Sequence, residues 1–125
     1  MTEAATQQEN ELICERLLGW HRCTQDAQHY YWHLEPCDHE RRNQLQRSLP
    51  AFIDWHDAGL ILDAVIAKGG SYMLEYDYGR ERACMRIRVR GWWAVGVERR
   101  TSIEAIRAAA LALIERQQRI NEELR

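Results

Sequence analysis

Apolar residues first take up a helical rhythm from about Asn10, where Leu12, Ile13, Leu17 and Leu18 recur at spacings that put them on one side of a helix. Gly19 follows where a left-handed C-terminal cap belongs. The spacing predicts a short amphipathic helix closing at Gly19, with Trp20 fixing its end to the core. Residues 1–9 are polar and without period, a lead-in expected to fray. Tyr30, Trp32 and Leu34 then alternate as in one short strand, which Pro36 ends. The polar stretch from Asp38 to Arg47 is expected to be a loop or a solvated helical turn.

The next rhythm is helical again. Asp54 suits an N-cap, Asp57 suits the positive end of the helix, and Ala58, Ile61, Leu62, Val65 and Ile66 form an apolar stripe that Gly69 and Gly70 stop. Three strand-like runs follow, Ser71 to Asp77, Arg82 to Val89 and Trp92 to Glu98, separated by turn signals around Gly79 and Gly91. Connections this short make the runs an antiparallel meander, because parallel strands need a crossover of about a dozen residues. In the middle run Met85, Ile87 and Val89 share a core face, leaving Arg86 and Arg88 on the other. Thr101 with Glu104 forms a capping box that opens a long helix, with Ile103, Ile106, Ala110, Leu113 and Ile114 turned inward and a tail from Gln117 expected to fray.

The predicted fold is therefore α+β, a small antiparallel meander of three to four strands packed with about three helices in the order α-β-α-β-β-β-α. All 125 residues are read as one domain. Composition agrees: 46% hydrophobic and 29% charged is a globular balance. No run of ~18 apolar residues could span a bilayer and the start has no signal-peptide pattern. The expectation is a cytoplasmic protein with no membrane partner and with its four cysteines, Cys14, Cys23, Cys37 and Cys84, reduced. The net charge of −2 gives no global attraction to nucleic acid. Locally, however, residues 80–100 carry seven arginines against two glutamates, a net of +5.

Short signatures along the chain resemble the phage α-β-α sandwich domain family: Leu17-Leu18-Gly19-Trp20, Trp55-His56-Asp57-Ala58, Trp92-Trp93-Ala94-Val95 and Ile103-Glu104-Ala105-Ile106 leading into alanine-rich Ala108 to Ala112. The resemblance spans about Leu12 to Glu115. It implies a phage or prophage origin and this fold, with no catalytic residues to carry over. The Cys/His-rich region between the first two signatures departs from the family.

Four candidate chemistries compete. His29, His33 and Cys37, each four apart, would share a helix face and offer zinc-type ligands, but the segment looks partly extended and has no Cys-x-x-Cys knuckle, so no metal or cofactor is assigned. Asp54, His56 and Asp57 could frame a general base, although capping accounts for both aspartates. Cys84 on a strand reads as a small core hydrophobe rather than a nucleophile. The basic strand is the stronger feature. Arg86, Arg88 and Arg90, with Trp92, Trp93, Tyr76 and Tyr78 from neighbouring strands, would pair guanidinium groups with aromatic rings on one surface for an anionic or protein partner. The alternative is a solvated face whose arginines pair with Glu75, Asp77 and Glu98. Trp20, Trp55 and one of Trp92 and Trp93 are expected in the core, the other of that pair pointing away.

The function expected is that of a non-catalytic binding protein of phage or prophage origin, an anti-CRISPR-like inhibitor that occupies the surface of a host defence protein. A sponge for a nucleotide signal and a nucleic-acid-binding accessory protein are the alternatives. A homodimer is compatible with the sheet edge, the spare tryptophan or the long helix.

Overall fold

The computed structural model describes residues 3–22, 30–31, 46–47, 49–89 and 95–123, and the chain divides into two compact units, Met1–Ala51 and Phe52–Arg125.

The first unit opens with α1, Glu3–Leu12, which continues into a π-helical turn over Ile13–Leu17. The helix begins well before Asn10, because Ala4, Ala5, Gln7, Gln8 and Glu9 are strong helix formers and need no apolar period to hold the conformation. The wider turn is recorded in the bond from the Leu18 N–H to the Ile13 carbonyl, 3.1 Å. Gly19 ends it at φ +76°, as its position predicts, and the Trp20 N–H returns to the Cys14 carbonyl at 2.9 Å. Ile13, Cys14, Leu17 and Trp20 are all buried. Three two-residue strands form a small antiparallel sheet in the order β1-β2-β3: β1 is His21–Arg22, β2 is Tyr30–Tyr31 and β3 is Gln46–Arg47. Only Tyr30–Tyr31 falls in the strand read from the alternation. Gln46–Arg47 is a strand in place of the expected loop or helical turn; two residues are too few to carry a pattern.

In the second unit α2 spans Trp55–Ala67. The Asp54 side chain accepts the Asp57 N–H at 2.8 Å, and the Asp57 carboxylate accepts the Phe52 N–H at 3.1 Å, so two carboxylates satisfy two backbone donors at the helix entrance. Phe52 is held at φ +55° and is 2% exposed. It fills the place expected of Trp55, which is 58% exposed. At about 100° per residue, Trp55 and Ile66 lie together on one flank of the helix, roughly a quarter turn away from Ala58, Ile61 and Val65. Those three are buried, whereas Ile66 is exposed, so the stripe is narrower than expected. The helix closes with the Gly69 N–H on Ile66 and the Gly70 N–H on Val65, both 2.9 Å, a double-bonded cap built on Gly69 at φ +77°. A Cβ at Gly70 would stand 2.5 Å from the Arg88 carbonyl oxygen and 2.9 Å from that of Val65. The connection to the sheet closes only around a bare backbone.

Strands β4 (Ser71–Asp77), β5 (Arg82–Arg88) and β6 (Val95–Arg99) pair antiparallel in that order, the meander expected. The β4–β5 turn rests on Asp77, whose Oδ1 accepts the Gly79 and Arg80 N–H groups at 3.0 and 3.2 Å, with Glu81 taking the left-handed position at φ +53°. Helix α3, Ser102–Glu123, starts where Thr101 Oγ1 accepts the Glu104 N–H at 3.1 Å and stays helical beyond Gln117 instead of fraying. It packs on β5 and β6, with α2 beside it and touching β4. Ala83, Met85, Ile87 and Val95 from the sheet and Ile106, Ala109, Ala110 and Leu113 from α3 are buried in this one layer. Each large side chain there contributes about 1.5–3 kcal/mol of transfer free energy, and the alanines let the helix lie close to the central strand. The α+β class and the order of its helices and meander are those the sequence predicts, with the small sheet of the first unit in place of one strand.

Candidate functional site

Among the described residues of this unit, helices cover one face of the β4–β6 sheet, and strand pairing determines what the bare face carries. Alternate residues share a face, so the buried row Ala83, Met85 and Ile87 leaves Arg82, Cys84, Arg86 and Arg88 on the other side. Three of these four are exposed arginines, and Cys84 is half-buried. Across the strands the face is built in rows: Asp77 beside Arg82, then Glu75–Cys84–Glu98, then Met73–Arg86–Gly96, then Ser71 beside Arg88. Charge alternates along the sheet. A basic and acidic end gives way to a glutamate row, and that to Arg86 and Arg88 about 6.6 Å apart along β5.

Of the carboxylates here, Glu98 is engaged by Arg80 from the turn, Nη2 to Oε1 at 2.8 Å, a bond with both partners well exposed. Among the described residues Arg82, Arg86 and Arg88 form no ion pair. Gly96 places no side chain beside Arg86, and Met73 on its other flank is 52% exposed. A shallow, open hollow of about 770 Å³ runs over the acidic end, lined by Glu75, Asp77, Tyr78, Arg80, Arg86 and Glu98 among others. Carboxylates and guanidinium groups share its walls.

The sequence-predicted constellation is therefore brought together in part. Arg86 and Arg88 lie on the bare face as expected. Tyr76 pairs with Ala83, so its Cα–Cβ bond points to the helix-covered side, away from the arginines, leaving it 39% exposed at the sheet edge. Tyr78 stands in the turn, 85% exposed, its ring edge-on to Tyr76 at 4.9 Å between centroids. Arg90, Trp92 and Trp93 lie outside the described residues, as do His29, His33 and Cys37 of the zinc reading. Asp54 and Asp57 are both bonded to backbone amides, which answers for their position beside exposed His56 without a catalytic role. Cys84 is not the core residue expected but the centre of the glutamate row on the open face. Arg82 and Met73 were not placed on this face from sequence, and Glu75 and Glu98 were named only as partners for its arginines, not as a row flanking Cys84. The period of two in β5 points to Arg82, but the cross-strand neighbours follow only from the register.

The chain is similar in fold to a phage protein from Bacillus cereus ATCC 14579 determined at 2.0 Å, with a TM-score of 0.58 over 86% of this chain and 89% of that one at 14% identity. The chain has the fold of a phage protein. At that identity the likeness is one of fold alone. No family model matches the chain, and no curated protein matches it either. Among the described residues no helix is long and apolar enough to cross a membrane.

Proposed function

We propose that this is a non-catalytic binding protein of phage type and that the bare face of the β4–β6 sheet is its contact surface. The observation that carries the reading is the line Arg82, Arg86 and Arg88, exposed on a face that no helix covers and free of ion pairs among the described residues. The planar guanidinium fork is pre-organised, so less freedom is lost per hydrogen bond on meeting a carboxylate, which it recognises in two-pronged fashion. Glu75 and Glu98, flanking the same strand, oppose a polyanion or a nucleotide phosphate. Together with exposed Met73, they favour a protein patch of mixed charge over nucleic acid or a nucleotide signal. With a phage protein sharing the fold, a host protein is the natural partner class, and inhibition of a defence component by occupying its surface is the form of this activity we favour.

The test is a pull-down from a bacterial lysate with wild-type protein and with the Arg86→Glu/Arg88→Glu variant as parallel baits. A specific host protein held by the first and lost by the second is the expected result. Equal capture by both, or a wild-type bait that recovers only nucleic acid in a salt-sensitive manner, would overturn it.

A further inference from the structure

We propose that two copies of this chain join through β4, edge to edge about a two-fold axis at Leu74, to make one continuous six-stranded sheet. The inference rests on the exposed β4 edge and also draws on Arg86 and Arg88 of the bare face. β4 is a sheet edge among the described residues, seven residues long, and six of the seven are exposed. It has no lysine, proline or interruption in its ladder, three of the devices that keep an edge from pairing, and its only charges are Glu75 and Asp77. Instead it exposes Tyr72, Met73 and Tyr76, at 42%, 52% and 39%. The opposite edge, β6, is five residues long and ends in Glu98 and Arg99.

The sequence of β4, Ser-Tyr-Met-Leu-Glu-Tyr-Asp, is complementary to itself when run antiparallel about its central residue. Leu74 then meets its own copy, Tyr72 meets Tyr76 twice, Met73 meets Glu75 and Ser71 meets Asp77. Aromatic rings pair with aromatic rings on the helix-covered side, the favoured cross-strand combination, and no carboxylate faces another. Moving the axis one residue on, to Glu75, would set that glutamate against itself. Moving it one residue back, to Met73, would leave Tyr76 opposite Gly70.

Charge on the bare face supports the same register. Arg88 lies beside Ser71, so the Asp77 of the second copy comes two strands away, about 10 Å between backbones. An arginine and an aspartate side chain reach across a serine over that span. Arg86 lies beside Met73 and so stands at the same remove from the second copy's Glu75. Arg86 and Arg88, unpaired in one chain, thus each gain a carboxylate from the other, while Arg82 comes two strands from a serine. A two-fold contact that satisfies both copies by the same residues is the form most homodimers take.

Sedimentation velocity of the full chain at micromolar concentration is expected to give about twice the 14.8 kDa chain mass. The Tyr72→Lys/Tyr76→Lys variant sets ammonium groups opposite one another in both aromatic pairs, and it should sediment as a monomer with an unchanged far-UV spectrum. A monomeric wild type, or a folded double variant that stays dimeric, overturns the proposal. Should the double variant lose its fold, cross-linking decides. Residues on the axis lie about 4.5–5.5 Å apart between Cα atoms, within reach of a disulfide. Leu74→Cys should therefore form a covalent dimer under mild oxidation severalfold above the wild-type background, and Met73→Cys should not. Equal cross-linking of the two variants rejects the register and with it the interface.

Discussion

Strands β4 and β5 have the same length and pair residue for residue, but they bury their side chains differently. In β5 every second residue is sealed under α3, and the intervening arginines face outward. In β4 Leu74, which pairs with Met85, is the most covered residue and the other six are exposed. The difference is one of place rather than composition. A central strand has a helix above it and neighbours on both sides, whereas β4 has a strand on one side only among the described residues, and its inward-facing Tyr72 and Tyr76 stay 42% and 39% exposed. Burial in this sheet is thus set by the reach of α3 as much as by the alternation of polar and apolar residues.

The sharpest way to break this comparison uses one residue type in both strands. Met85→Ala removes a side chain with no exposure and should cost about 2–5 kcal/mol in a urea unfolding experiment, whereas Met73→Ala, one strand over, should stay within about 0.5 kcal/mol. Similar losses at both sites would show that β4 is covered after all. Gly70→Ala comes next. Its Cβ would meet two backbone carbonyl oxygens, which cannot rotate aside, so about 1–3 kcal/mol should be lost by the same measurement. A neutral result would mean that the α2–β4 connection yields easily.

Thr101→Ala removes the oxygen that accepts the Glu104 N–H and should cost about 1 kcal/mol, while Thr101→Ser should restore most of it. The smallest effect belongs to the bare face. Glu98→Gln loosens the contact with Arg80 and should change stability by less than about 1 kcal/mol, because both groups are well exposed. A larger loss would mark the glutamate row as part of the packing that holds the sheet.

Much of this was legible in the chain because the signals were local. Asp54 and the Gly69–Gly70 pair bound α2, and Thr101 opens α3. The alternation in β5 separates Met85 and Ile87 from Arg86 and Arg88. What escaped depends on distance or on residues without rhythm. Helix α1 begins in a run of glutamine, alanine and glutamate that carries propensity but no face. Trp55 suggested burial by its size, yet it is the first residue after the N-cap and lies on the flank of α2, while Phe52, in an unpatterned stretch after Pro50, turns inward through a left-handed backbone. Tyr76 could be placed on the face away from Arg86 only once the turn at Asp77 had fixed which residues oppose each other. The candidate face was therefore half visible: its arginines follow from one strand and its glutamates were named as their neighbours, but the rows they form and the place of Met73 follow only from the pairing of three strands.

The pleat of β5 has a consequence for how this protein can change over generations. Residues that hold the unit together and residues that meet the outside alternate along a single strand, and they share no packing. Replacing Arg82, Arg86 or Arg88 leaves Ala83, Met85 and Ile87 where they are. The outward face can therefore change one side chain at a time without passing through an unfolded ancestor.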